Sequence, residues 1–302
     1  VEPMRMSINK PLFDSIYDEC CKIIRFSQDK LLLQKKDKLD YSYKQLCETE
    51  DCELQEFYSI VHELRTYYFL RNNNLTVHVQ DDNHIGPDFL CSEIGYIECI
   101  SITKGAVGTE CRKYVEKCLS RSMNRYLAAL PRITSAIIDK KNKYETYLSK
   151  QAIDPNIPRL IAINTSIFSN EFNSNSIIDL LLKILYGIGC QIMRVKINPI
   201  SFIEENGVES HQYNDIGKKH SDLDLELNYF AKAEFRNISA IILENNAIGE
   251  NDISKHFFIF TNPLANVPIE IKHLRTIKTF IQEEADESHI SYKWLNPKSQ
   301  TE

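Results

Sequence analysis

The N-terminal part of the chain contains two stretches whose apolar positions recur at the spacing of an α-helix. Leu12–Leu33 and Cys52–Leu70 each carry apolar side chains three or four positions apart, which predicts two amphipathic helices. The intervening Lys35–Thr49 is rich in polar and charged residues, and we interpret it as a linker. The run Asn72–Asn74 is expected to end the second helix.

Three short segments with the composition of β-strands follow the second helix. They are Leu75–Gln80, Asp88–Cys91 and Tyr96–Ile102, and turn-forming residues such as Asp81–Asn83 separate them. Because links this short join antiparallel neighbours, we expect a three-stranded antiparallel meander.

The remainder of the chain alternates between helical and strand-like patterns. Lys104–Leu127 is polar, basic and expected to be partly helical, and Pro131 is expected to start a clear helix over Arg132–Lys150. The later predictions are a strand over Arg159–Asn164, a helix over Ser176–Tyr186, a strand over Cys190–Ile197, a loop-rich Pro199–Phe230, strands over Ile238–Glu244 and Phe257–Phe260, and a helix over Ile269–Glu283.

This order of elements predicts an α/β fold in which helices cover a sheet. We divide the chain into an N-terminal helical extension (1–50), a core (51–165) and a C-terminal α/β extension (166–302). The C-terminal extension should add further strands and a helix and pack on the core as one domain. A length of 302 residues with 43% apolar content suits a globular protein of this kind.

Charge is distributed unevenly along the chain. The net charge of −6 argues against nucleic-acid binding over the whole surface. Between Lys104 and Lys150, however, there are eleven basic and only four acidic residues. This segment is a candidate surface for the phosphates of a nucleic acid, and a solvated helical face is the alternative interpretation.

Sequence patterns also bear on the location of the protein. No run of about 18 apolar residues predicts a membrane span, and Val1–Lys10 lacks the apolar centre of a signal peptide. We therefore expect a cytoplasmic protein in the cell that makes it, with export by a route without a cleavable signal left open. The nine cysteines include no CxxC pair, which argues against a zinc ribbon and favours reduced, buried thiols.

Two carboxylates interrupt the apolar strands. Asp88 begins the second strand, and Glu98 emerges in the third between Tyr96 and Ile100, which share its face. An unpaired carboxylate between apolar neighbours is costly. Neighbouring strands lie about 4.8 Å apart, so the two carboxylates can converge on one divalent cation such as Mg²⁺. Alternatively, Asp88 caps a turn and Glu98 pairs with a buried arginine.

Together with the second helix, these strands resemble the metal-binding core of the PD-(D/E)XK superfamily, which includes restriction endonucleases, repair nucleases and defence proteins. The resemblance covers about 52–164 and is carried by Glu63, Pro87-Asp88 and Glu98-Cys99-Ile100. It implies a restriction-endonuclease-like mixed sheet flanked by helices. It also implies that Asp88, Glu98 and the backbone carbonyl of Cys99 bind Mg²⁺, or Mn²⁺, with Glu63 in support. A solvent-facing Glu63 is the alternative.

The sequence departs from that family at Ile100, which stands where the catalytic lysine is expected. Lys140 is our candidate replacement, because it lies on the apolar stripe of the Arg132–Lys150 helix, three residues after Ile137 and four before Tyr144. Some members of the superfamily supply their lysine from this helix. The alternative is a Lys140 that extends from the edge of the core into solvent.

Two functions therefore stay open. The first is a Mg²⁺-dependent nuclease that hydrolyses phosphodiester bonds, with DNA favoured over RNA. Its candidate catalytic residues are Asp88, Glu98, Lys140 and Glu63, and its candidate contacts to the nucleic-acid backbone are Arg132, Lys141 and Lys143. The second is a catalytically degenerate domain that binds nucleic acid or protein and acts in regulation. Nucleases that cut both strands often pair, so a homodimer is a further expectation.

Overall fold

The computed structural model describes residues 10–27, 29–48, 54–80, 85–102, 121–165, 174–194, 207–212, 215–216, 225–245, 256–285 and 290–295. The helices within these residues are α1 Lys10–Ser27, α2 Lys30–Glu48, α3 Leu54–Asn72, α4 Arg121–Ser149 and α5 Ser174–Tyr186. The strands are β1 Val77–Val79, β2 Phe89–Cys91, β3 Gly95–Ser101, β4 Arg159–Asn164, β5 Ile188–Arg194, β6 Gly207–Gln212, β7 Asp215–Ile216, β8 Leu225–Glu226, β9 Ala240–Glu244, β10 Phe257–Thr261, β11 Thr279–Ala285 and β12 Ile290–Leu295. The predicted turn at 81–83 and residues 104–120 of the basic segment lie outside this description.

An eight-stranded mixed sheet runs through the molecule in the order β1-β2-β3-β4-β9-β10-β11-β12. As expected, β1, β2 and β3 form an antiparallel meander. Strand β4 pairs parallel with β3, and β9 pairs parallel with β4. The C-terminal strands continue the sheet beyond β9, while β5–β6 and β7–β8 form two separate ribbons. The predicted α/β class, with helices flanking a mixed sheet, is confirmed.

Side chains alternate between the two faces of the sheet, and each face has its own core. Ile97 and Cys99 of β3 join the core built with α1, α2 and α3. Tyr96 and Ile100 pack on the opposite core, which is built with α4 and α5. The position of Glu98 in this alternation places its side chain on the α4 face.

The N-terminal region differs from the sequence prediction. A single helix over Leu12–Leu33 followed by a linker is wrong, because the chain forms α1 and then α2. Asp29 separates them, and its Oδ1 accepts a hydrogen bond from Leu31 N at 2.9 Å, as an N-cap does. Helix α2 continues through the predicted linker because a buried leucine occurs at every seventh position: Leu32, Leu39 and Leu46.

The predicted start of α4 is also wrong. The helix begins at Arg121, so Pro131 and Arg132 lie inside it. Proline within a helix costs about 3 kcal/mol, because it removes a backbone donor and crowds the preceding turn. The neighbouring Leu130 and Ile133 are fully buried in the α4 core. We attribute the continuous helix to this burial, which outweighs the local cost.

The helix predicted over Ile269–Glu283 is wrong as well. Ile271–Leu274 forms a 3₁₀ turn, and the segment then becomes β11. Phe280 of β11 lies opposite Phe260 of β10 in a parallel pair. Strand β11 forms because its backbone pairs with the free edge of β10. The pattern of apolar residues within the segment gives no information about this partner. Among the described residues, no helix combines the length and apolar character needed to cross a membrane.

A network of buried charges fixes α3 against the sheet. Glu244, at the end of β9, is fully buried, and its carboxylate lies 2.5 Å from His62 Nδ1 and 3.3 Å from Arg65 Nη1. Arg65 also donates to Glu19 of α1 at 2.8 and 3.0 Å. His62 Nε2 lies 3.0 Å from the carbonyl oxygen of Ala162 in β4. These contacts link two helices to two central strands.

Loss of the Glu244 charge should destabilise the protein. Glu244→Gln leaves His62 buried without its anionic partner and leaves Arg65 with Glu19 alone, and we expect the free energy of unfolding to fall by about 3 kcal/mol. Urea denaturation followed by circular dichroism measures the change. The matched control is Glu270→Gln, which removes an exposed glutamate paired with Lys272 and should leave stability unchanged. Equal stability of the two variants would contradict the anchoring role of Glu244.

Candidate functional site

Glu98 is fully buried on the α4 face of the sheet. Its Oε2 accepts hydrogen bonds from Lys140 Nζ at 2.7 Å and from Lys143 Nζ at 2.9 Å. Its Oε1 accepts a hydrogen bond from the Tyr147 hydroxyl at 2.7 Å. The described partners of Glu98 are thus two lysines and a tyrosine, and the alternative with a buried arginine is wrong.

Lys140 occupies the position that the apolar stripe predicts. Ile137 and Tyr144, three residues before and four residues after it, are fully buried. The Lys140 side chain is 15% exposed, whereas that of Lys143 is 44% exposed. Lys140 therefore points to the carboxylate of β3 and not into bulk solvent. Lys143 reaches the same oxygen from the solvent side, since residues three apart share one face of a helix.

Asp88 immediately precedes β2 and lies against the backbone of β3. Its Oδ2 accepts a hydrogen bond from the Cys99 amide at 2.7 Å. Burial, followed by the negative charges of Glu63 and Glu98, raises the pKa of Asp88 to about 7, and Lys140 opposes the rise. The charges of Glu63, Glu98 and Lys140 thus all act on the Asp88 carboxyl group, so these three residues lie within electrostatic range of Asp88.

Glu63 approaches this group from α3, on the other face of the sheet. Its side chain is 16% exposed, so the solvent-facing alternative is wrong. Its Oε2 lies 2.5 Å from Nζ of Lys35, a residue of α2 whose side chain is 6% exposed. Lys35 was not among the predicted site residues, because its segment was interpreted as a linker. The signal was its position between Leu32 and Leu39 on a helical stripe.

The other predicted residues occupy different surroundings. Cys99 contributes its backbone amide to Asp88, and burial raises the pKa of its thiol well above the usual value, so the sulfur stays protonated. Lys141 pairs with Glu145 of its own helix at 2.9 Å and lies over the Phe235 ring, away from Glu98. Arg132 is half-buried, eight residues before Lys140, or about 12 Å along α4.

Tyr147 is a contact that the sequence interpretation missed. It lies three residues after Tyr144 on the same helix, and its ring is buried. Its hydroxyl group nevertheless reaches Glu98, and this contact, together with burial, raises the pKa of Tyr147 above its usual range. A buried tyrosine one helical turn after Lys143 and two turns after Lys140 was the available signal, because its hydroxyl needs a polar partner.

Comparison with known proteins gives no further guide to this site. No family model, curated protein or solved structure matches the chain. The functional argument therefore rests on the geometry and chemistry of these residues.

The capacity of these residues for a metal ion depends on their donor atoms. The described part of the chain contains no group of three or more histidine, cysteine, aspartate or glutamate residues arranged to hold a metal. Asp88 and Glu98 supply two carboxylates, and Mg²⁺ is often bound by one or two carboxylates with water completing its shell. Burial, and after it the negative charges of Glu63 and Glu98, raise the pKa of Asp88, and a divalent cation would relieve the second of these causes. These two carboxylates are the described oxygen donors that such a cation would use, and both oxygens of Glu98 already accept hydrogen bonds.

Stability should depend on pH through Asp88. The carboxyl pKa rises from an ordinary value of 3.8 to about 7 in the folded protein, so the folded state holds a proton that the unfolded state has released. This contribution to stability is complete below about pH 4 and is lost as the pH rises through about 7. Asp88→Asn keeps an acceptor for the Cys99 amide and removes the titration.

Urea denaturation without metal, between about pH 5 and about pH 8.5, tests this dependence. We expect the wild type to lose about 3 kcal/mol more than Asp88→Asn over that interval. Parallel stability curves for the two proteins would show that the Asp88 carboxyl group does not titrate in this way.

Proposed function

We propose that this chain is a Mg²⁺-dependent nuclease that hydrolyses phosphodiester bonds, preferentially in DNA, on a divergent PD-(D/E)XK core. One observation carries the proposal: Lys140 of α4 reaches Glu98 at 2.7 Å, next to Asp88. Two carboxylates with an adjacent lysine form the constellation that the resemblance implies. Lys140 supplies from a helix the charge that Ile100 does not supply from the strand.

The order of elements also supports the proposal. Helix α3 is followed by the β1–β3 meander, by α4 and by β4, which is parallel to β3. A crossover between parallel strands lays its helix across the sheet, and here it brings α4 over Glu98. This order is the one expected for a restriction-endonuclease-like core. Two copies of the chain would act together if both strands of a duplex are cut.

The residues would divide the chemistry as follows. Asp88 and Glu98 would hold the cation, which when bound acts as a Lewis acid on a phosphodiester and on a water molecule. Lys140 holds Glu98 by a charge-assisted hydrogen bond and keeps a positive charge where negative charge develops on the phosphate oxygens. Lys143, which is more exposed, presents an ammonium group toward the side from which a backbone phosphate would approach.

A second candidate function is a regulatory or binding domain on the same fold. The observation that favours it is the saturation of Glu98, whose two oxygens accept hydrogen bonds from Lys140, Lys143 and Tyr147. Carboxylates held in this way can serve stability alone, and a fold does not determine activity. Such a protein would bind nucleic acid or a protein partner without cleaving a substrate.

A cleavage assay distinguishes the two functions. With Mg²⁺ or Mn²⁺, we expect the wild type to cut duplex or single-stranded DNA faster than RNA. Asp88→Ala and Lys140→Met should each lower the rate by about 100-fold or more, because each removes a charge that stabilises the transition state. Gel electrophoresis of labelled substrates measures the rates.

The control for this assay is Lys272→Met, which removes an exposed lysine of the turn before β11 and should leave the rate unchanged. Cleavage that persists in Asp88→Ala would refute the proposed mechanism. Absence of cleavage by the wild type, with binding of the same DNA in a fluorescence anisotropy titration, would favour the second function.

A further inference from the structure

Helices α1 and α2 pack side by side, and hydrogen bonds define the turn that joins them. Ser27 Oγ donates a hydrogen bond to the carbonyl oxygen of Ile24 at 2.8 Å and accepts one from Asp29 N at 3.3 Å. Asp29 in turn caps the start of α2. Farther from the turn, the rings of Tyr17 and Tyr43 stack with their centroids 4.3 Å apart. These contacts hold the turn in one conformation at the end of a helical hairpin.

Five exposed side chains surround this turn, and we call them the hairpin tip. Two are apolar. Phe26 is 82% exposed, the largest value among the large apolar residues of the described chain, and Leu33 is 50% exposed. The three basic members are Lys22, Arg25 and Lys30. No ion pair joins any of these three to a described residue. The sole acidic residue between positions 22 and 34 is Asp29, whose carboxylate caps α2.

The stability of the hairpin does not account for these side chains. The ring of Phe26 leaves most of its apolar surface in water. Lys30 is the first residue of α2, where the helix dipole disfavours a positive charge. A single exposed apolar residue needs no explanation, but one that stands among unpaired cations on an ordered turn points to a partner. That partner must be anionic and must also accept an apolar side chain.

The surface of an anionic lipid bilayer meets both requirements, because its phosphate groups lie above apolar acyl chains. The order of side chains along α1 matches this layering. Phe26 lies four residues, or about 6 Å, nearer the turn than Lys22, so its ring reaches deeper than the ammonium group. Flexible apolar stems let lysine and arginine keep their charges at the headgroups. A nucleic acid also offers phosphates, but its bases stack on rings, and Leu33 has none.

We propose that the hairpin tip binds the surface of an anionic lipid bilayer, with the Phe26 ring below the headgroups and the three basic side chains at their phosphates. The whole chain has a net charge of −6, so its attraction to such a surface must come from a local basic region such as the tip. Binding of this kind requires no helix that crosses the bilayer. The proposal is independent of the proposed nuclease activity.

Co-sedimentation of the full chain with vesicles tests the proposal. One vesicle sample contains phosphatidylcholine with about 30% phosphatidylserine, and the other contains phosphatidylcholine alone. We expect binding to the first sample only, and its loss at about 0.5 M salt, because salt screens exposed charges. Lys22→Gln/Lys30→Gln should weaken binding by about 25-fold, since two charges near the surface are removed. Phe26→Ser should weaken it by about tenfold, since the buried ring is lost.

Matched control variants lie on the turn before β11. Ile271→Ser removes an apolar residue that is 44% exposed, and Lys272→Gln removes an exposed lysine. Both should bind vesicles as the wild type does. All substituted side chains are exposed, so each variant should keep the circular dichroism spectrum of the wild type. Equal losses of binding in the control variants and the tip variants would show that the tip has no special role, which overturns the proposal.

Fluorescence quenching tests the insertion of residue 26 directly. Phe26→Trp adds a tryptophan at the tip to the single native one, Trp294. Lipids that carry bromine on their acyl chains quench a tryptophan that lies among those chains. We expect phosphatidylserine vesicles made with such lipids to quench the added tryptophan and not Trp294 in the wild type. Vesicle-bound Phe26→Trp without quenching would overturn the proposed insertion.

Two further results would refute lipid binding by the tip. The first is a wild type that does not sediment with phosphatidylserine vesicles. The second is a set of tip variants that sediment as the wild type does. If the tip variants instead lose affinity for a short DNA duplex in a fluorescence anisotropy titration, and no protein binds vesicles, the tip is a nucleic-acid contact. These measurements involve no cleavage, so their outcome does not depend on whether the chain is a nuclease.

Discussion

A carboxylate buried on a sheet needs a positively charged partner close by, and this requirement determines how the helices on the two faces pack against the sheet. Glu244 faces one side and is met by His62 and Arg65 of α3. Glu98 faces the other side and is met by the lysines of α4. Apolar surfaces supply most of the driving force for packing, but they tolerate small shifts along a helix. The buried ion pairs fix which turn of each helix lies over which strand.

Local patterns account for what the sequence predicted. The meander β1–β3, strand β4 and helix α3 follow from alternation or helical spacing within single segments, and so does the place of Lys140 on its stripe. The pairing of Lys35 with Glu63 links residues 28 positions apart, and no local pattern specifies such a partner. The predictions for the segments that form helix α2 and strand β11 were wrong for a related reason. The first gains its stability by packing against α3, and the second by pairing with β10.

The same lysines explain how acidic side chains can crowd together in the absence of an added cation. Lys140 and Lys143 share one oxygen of Glu98, yet they differ in exposure. In the proposed nuclease this difference separates their tasks, because the buried lysine keeps the carboxylate oriented and the exposed one is accessible to a phosphate. Tyr147 holds the second oxygen and so restricts rotation of the carboxylate. These groups are therefore held in place in the protein without a bound substrate.

Helix α3 carries Glu63 between His62 and Arg65, the residues that anchor it to Glu244. Successive helical residues are rotated by about 100°, so a single inserted or deleted residue upstream in α3 would turn Glu63 and the anchor away together. A substitution at one position of α3 therefore affects one contact, whereas a change in the length of the helix before His62 acts on the orientation of Glu63 and of both anchoring residues at once.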